Sequence, residues 1–182
     1  QYENVRILGN KNTLYVKSTS VTQVSRTYFR DSYIEGDEDF VIGRGTAVFD
    51  RCRIHSIGAR VQTGAAVAAP STRLTNPYGL LFINTDFTAD AGVSDIYLGR
   101  QWYESSNQEA VGKMIVRNSN LGAHFRAQDP WVAVERVTPK NAGAATPMVL
   151  YTSEDYYLPS TGLVPPEVFL AEHGNTGAGA AQ

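Results

Sequence analysis

Five stretches of this chain share one order of apolar and polar positions and align without gaps. They are YENVRILG from Tyr2, FRDSYIEG from Phe29, FDRCRIHS from Phe49, FINTDFTA from Phe82 and VRNSNLGA from Val116. The first column holds Tyr2, Phe29, Phe49, Phe82 and Val116. The sixth holds Ile7, Ile34, Ile54, Phe87 and Leu121, all apolar. The fourth, Val5, Ser32, Cys52, Thr85 and Ser119, is mostly small. Side chains alternate across a strand, so the fourth and sixth positions share a face and send one small and one large residue inward. The third column reads Asn4, Asp31, Arg51, Asn84 and Asn118. Asn and Asp tolerate left-handed backbone, which predicts a bend between two short strands. The starts lie 27, 20, 33 and 34 residues apart, close to the spacing of stacked structural repeats.

This pattern predicts an all-β parallel solenoid in which each turn buries its interior against its neighbours. An antiparallel sandwich with irregular hairpins is the alternative. Helical periodicity is scarce, and the two-residue Asn-Gly turns that hairpins favour are missing between the segments. The chain reads as one domain, 1–182, with rungs over 1–125. Beyond that the pattern gives way to Gln128-Asp129-Pro130, Pro139-Lys140-Asn141 and Pro165-Pro166, so 126–182 is expected to be loop-rich, with a small, polar end that frays. The first rung begins at residue 2 with no capping segment before it. The reading therefore expects an N-terminal half of the solenoid to stack on Tyr2–Gly9.

Charge changes the picture by exclusion. Charged residues make up 19% of the 182, the net charge is −2 and the pI is about 5.9. No basic field for nucleic acid or an anionic membrane surface exists in this composition. No apolar run reaches the ~20 residues of a transmembrane segment. The start, QYENVRILG, lacks the regions of a signal peptide. Cys52 is the one cysteine, so no internal disulfide forms, and its alternating context predicts a packed thiol. His55, His124 and His173 have no metal-ligand spacing, so neither a metal nor a cofactor is expected. No Gly-x-Ser-x-Gly elbow is present. Gly43-Arg44-Gly45 reads as a tight corner rather than a phosphate loop. Trp131 and the Tyr156-Tyr157 pair read either as sugar-stacking aromatics or as packing.

The candidate chemistry lies at Asp39, immediately before Phe40-Val41-Ile42. A carboxylate at the start of a buried strand is costly unless paired. Glu35 to Glu38 read as a solvated turn. The distant segment Tyr97-Leu98-Gly99-Arg100-Gln101-Trp102 supplies a cation and an aromatic in a similar strand-end context. Taken alone, Asp37 with Asp39 also allows a two-carboxylate glycosidase.

Tyr33-Ile34-Glu35-Gly36, Asp39-Phe40-Val41-Ile42-Gly43 and Tyr97 to Trp102 together resemble the pectin methylesterases. Gly9-Asn10-Lys11-Asn12-Thr13-Leu14-Tyr15 is similar to that family's Gly-Tyr-Gln-Asp-Thr-Leu-Tyr, and Glu172-His173-Gly174-Asn175-Thr176-Gly177 to its closing segment. Gly43-Arg44-Gly45 and Asp129-Pro130-Trp131 resemble the bacterial branch, which includes outer-membrane lipoproteins and an acyl-CoA thioesterase. The resemblance implies a right-handed parallel β-helix, methylated pectin as substrate, and a secreted or cell-envelope location (periplasmic or outer-membrane if bacterial). It implies Asp39 as nucleophile, Arg100 as the group that orients it, and Trp102, Phe40 and Tyr15 as groove residues. Two positions depart from the family pattern. Asn12 stands where the family has its general acid, and Lys11 where it has an amide for the oxyanion. Three outcomes follow: an impaired methylesterase, a thioesterase, or a non-catalytic carbohydrate-binding β-helix.

Overall fold

The computed structural model describes residues 1–20, 22–73, 75–104, 110–132 and 169–180. The chain winds as a right-handed parallel β-helix of three sheets, each of the first four turns contributing one strand to each. The first sheet runs Tyr2–Glu3, Arg26–Arg30, Thr46–Asp50, Leu80–Ile83, Lys113–Arg117 and Phe169–His173. The second runs Arg6–Ile7, Tyr33–Gly36, Arg53–Ser56, Asp86–Ala89 and Asn120–Leu121. The third, which carries the chemistry, runs Leu14–Tyr15, Val41–Gly43, Ala66–Pro70 and Tyr97–Gly99. Thr72–Arg73 and Ala110–Val111 add a small antiparallel pair.

The registers reproduce the sequence columns. Tyr2 pairs with Phe29, Phe29 with Phe49, Phe49 with Phe82 and Phe82 with Val116. The four rings stack, with centroids 5.0, 5.1 and 4.5 Å apart and planes within 13° of parallel. Ile7, Ile34, Ile54, Phe87 and Leu121 form the second inward column. All five belong to or pack against one core cluster. Every third-column residue is left-handed, with φ of +55°, +48°, +51°, +53° and +49° from Asn4 to Asn118. Arg51 adopts it despite lacking the short polar side chain that makes it easy. Fourth-column hydroxyls are buried and satisfied locally. Ser32, Thr85 and Ser119 donate to the carbonyls of Arg30, Ile83 and Arg117 at 2.7, 3.1 and 2.9 Å. Cys52 is buried in the same column, where burial pushes its thiol pKa up.

The region expected to be loop-rich contributes a sixth rung. Phe169–His173 pairs in parallel with Lys113–Arg117, setting Glu172 opposite Val116. Gly174 takes the bend at φ +61°. Asn175 accepts from the Ser119 N–H at 3.0 Å and donates to the Val116 carbonyl at 3.0 Å. Where fraying is expected, the described residues up to Ala180 instead close onto the preceding turn. Gly177, at φ +94°, lies so close to Leu121 that a Cβ would come within 2.3 Å of its carbonyl oxygen, and Ala180 is buried. The apolar pattern hides this rung, because its first and sixth columns hold Glu172 and Gly177 and side-chain amide bonds replace apolar stacking.

Candidate active site

A second line of left-handed bends leads into the third sheet. Asn12 (φ +53°) and Asp39 (φ +45°) each lie two residues before their strands, at matching positions on successive turns. The Asn12 N–H donates to the Asp39 carbonyl at 3.2 Å, and the Asp39 N–H to that of Ala66 at 2.7 Å. Eight non-glycine residues among those described share this conformation, so at Asp39 it belongs to the bend and is no separate sign of catalysis.

Arg100 reaches Asp39 from the end of Tyr97–Gly99. Its Nε donates to Oδ1 at 2.9 Å and its Nη2 to Oδ2 at 2.6 Å. The Asp39 side chain is 8% exposed and that of Arg100 35%. This two-pronged pairing is the compensation that an almost buried carboxylate needs, and it fixes the carboxylate plane. Nη1 donates to the Gln101 carbonyl at 3.2 Å, which anchors the guanidinium in turn. Gln101 itself is buried and spans to the Ala110 carbonyl at 2.9 Å, so it braces the segment and does not face the site.

The outer face of the third sheet brings Tyr15, Ile42 and Ala69 into one row. Tyr15 meets Trp102 edge to face, with centroids 6.0 Å apart. Phe40 does not belong to this wall. It is 1% exposed and lies in the hydrophobic core, because the strand after Asp39 turns it inward; the groove role implied for it is corrected. Asn12 is exposed beside Asp39. Lys11 is engaged by Glu38 at 2.8 Å, a pair bridging the same two turns. An oxyanion role for Lys11 would require leaving that partner.

The turn Glu35 to Glu38 is not simply solvated. The Asp37 side chain is closed to solvent, accepts from Arg60 Nε at 2.8 Å and from Asn10 Nδ2 at 3.4 Å, and pairs with Arg60 a second time through Nη2. The Arg60 bonds foremost hold its carboxyl below the ordinary range, while burial opposes them. A second cluster joins Arg44, Glu104 and the Tyr15 hydroxyl. Burial, then Glu104, pushes the Tyr15 pKa up to about 12. Neither partnership is visible in the sequence, since Arg60 and Glu104 lie 23 and 89 residues from the side chains they hold. Trp131 is fully buried and packs the interior beside Gly99. His124 is also buried, and its pKa falls to about 4 for that reason. Tyr156 and Tyr157 lie outside the described residues.

Residues 1–132 match the pectinesterase family model. A pectinesterase of Ralstonia solanacearum is 43% identical over 141 residues, covering 71% of this chain and 36% of the relative. Pectinesterase B of Dickeya dadantii is 37% identical over 149 residues, covering 73% and 34%. YbhC of Escherichia coli, named provisionally as an acyl-CoA thioester hydrolase, is 36% identical over 137 residues, covering 72% and 31%. Among solved structures, the rice weevil pectin methyl esterase superposes with a TM-score of 0.75 at 26% identity, over 98% of this chain and 48% of that one. This chain spans about a third of the length of the curated relatives. The repeat columns, the bend carrying Asp39 and these matches agree: the chain belongs to the pectinesterase family.

Proposed function

We propose that the Asp39–Arg100 centre hydrolyses methyl esters of polygalacturonate outside the cytoplasm, in the secreted or envelope space. The carrying observation is the two-pronged ion pair, set beside an aromatic wall of Tyr15 and Trp102. Asp39 would attack the ester carbonyl, forming an acyl anhydride as the C–O bond to methoxide breaks. Methoxide takes a proton and leaves as methanol. Water then cleaves the anhydride, returning the Asp39 carboxylate and releasing the uronate. Arg100 keeps the nucleophile oriented between the two steps.

The weak point is the proton. Asn12 cannot donate and recover one, and losing an acid/base group costs ~10²–10⁴-fold in rate. The same observation favours a second reading. An alkoxide leaving group, with a conjugate acid near ~15, needs that proton. A thiolate, near ~8.5, leaves without it. A thioester would therefore lose much less to Asn12 than a methyl ester. The two readings separate by assaying methanol release from methylated pectin beside cleavage of an acyl thioester, each with and without Asn12→Asp. The methylesterase reading expects Asn12→Asp to raise methanol release. A wild-type chain that cleaves the thioester faster, with Asn12→Asp giving no gain on pectin, refutes it.

A further inference from the structure

The corner Gly43-Arg44-Gly45 has no part in this chemistry, yet it is built with care. Gly43 turns at φ +128°, and a Cβ there would lie 2.2 Å from the Val16 carbonyl oxygen. The corner delivers Arg44 into an enclosed site. Its Nε donates to Ser18 Oγ and its Nη2 to the Ser18 carbonyl, each at 2.9 Å. That leaves Nη1 for the Glu104 carboxylate, which also accepts the Tyr15 hydroxyl. Ser71 Oγ holds the Glu104 N–H at 2.9 Å. The two charged side chains are 10% and 13% exposed. Glu104 is thus the junction of three separate parts of the site: the corner, the Tyr15 strand, and the segment carrying Arg100 and Trp102.

An ion pair this enclosed adds little net stability, because desolvation offsets the attraction. What it does add is geometry. Trp102 lies two residues from Glu104 and touches the ring whose hydroxyl Glu104 holds. The pair also cancels its own charge beside a groove meant for a polyanion. A lone Glu104 would repel uronate carboxylates, and a lone Arg44 would attract them.

We propose that Arg44 and Glu104 are positioning and specificity-determining residues, which hold the Tyr15–Trp102 wall in place and, as a neutral pair, add no net charge to that of Lys17, whose Nζ lies 5.5 Å from the Tyr15 ring centroid. The charge half of this rests on the polyuronate reading; the positional half does not. The test has two arms on the intact chain, with circular dichroism confirming the fold of each variant. The first needs no ligand. The chain has two tryptophans and Trp131 is fully buried, so acrylamide quenching of fluorescence reports Trp102. Arg44→Met and Glu104→Ala should both raise the quenching constant, and near-isosteric Glu104→Gln should raise it less. Unchanged quenching in folded variants overturns the positioning role.

The second arm titrates de-esterified and fully methylated oligogalacturonides. For the de-esterified ligand, Glu104→Gln should tighten and Arg44→Met weaken binding by about three-fold each, the size of one charge felt across ~6 Å of water-like dielectric. Both effects should shrink with salt, and the methylated ligand should show neither. Changes of the same sign in both variants overturn the specificity role. If the wild type binds neither ligand, the polyuronate reading fails and the charge role with it, while quenching still decides the positional role.

Discussion

Phe49→Ala measures how the solenoid holds itself together. Phe49 sits mid-column, 5.1 Å from Phe29 and 4.5 Å from Phe82 with ring planes within 10°, and has no exposed surface. Truncating a buried phenylalanine costs ~3–5 kcal/mol. Two stacked partners are lost at once, each pair contributing about 0.5–1.5 kcal/mol beyond burial, so the upper end of that range is expected. Tyr2 occupies the same column but is 51% exposed and stacks on Phe29 alone among the described residues. Its removal should cost about 1 kcal/mol, mainly the one pair. Against a total of ~5–15 kcal/mol, the first loss is severe and the second minor. Urea unfolding followed by far-UV circular dichroism gives both values, with unchanged slopes confirming comparable unfolding. Phe49→Leu should fall between them. A Phe49→Ala cost no larger than that of Tyr2→Ala would refute the stacked-column account.

Asp37 has a carboxyl held below the ordinary range by Arg60, so it contributes stability present above the unfolded-state pKa and lost as pH falls through the lower folded value. Asp37→Asn should lower the melting temperature at pH 7 and flatten the decline below about pH 4; an unchanged acid limb would refute this. Gly43→Ala forces a side chain onto a φ of +128° and against the Val16 carbonyl, so thermal melts should show a loss larger than about 1 kcal/mol, and a neutral result would dismiss the corner. Arg100→Lys keeps the charge but cannot make the two-pronged contact; turnover should fall by ~10²-fold, with equal rates showing that orientation is unimportant.

The stacked core is legible because its columns repeat one simple rule, a large apolar residue at a fixed offset from a left-handed residue that is Asn or Asp in four of five rungs. The sixth rung is not, since Asn175 amide bonds take over where apolar stacking stops. Asp39 stands out as a charge entering an apolar strand and Arg100 as a cation in a similar strand-end context, while the resemblance supplies the pairing of the two. Asp37 reads as solvated in the sequence because its partner, Arg60, follows at no regular spacing and only the winding of the chain brings them together. Phe40 shows the opposite limit. The resemblance implied a groove role for Phe40, but the bend at Asp39 turns that side chain inward.

The most direct test is methanol release from highly methylated pectin by the wild-type chain and by Asn12→Asp, each with and without Asp39→Asn. Release by the wild type should be slow, rise by ~10²–10⁴-fold in Asn12→Asp, and be lost completely in both backgrounds once Asp39 is asparagine. Turnover that survives Asp39→Asn, or its absence from all four proteins, would contradict Asp39 as the nucleophile of an esterase.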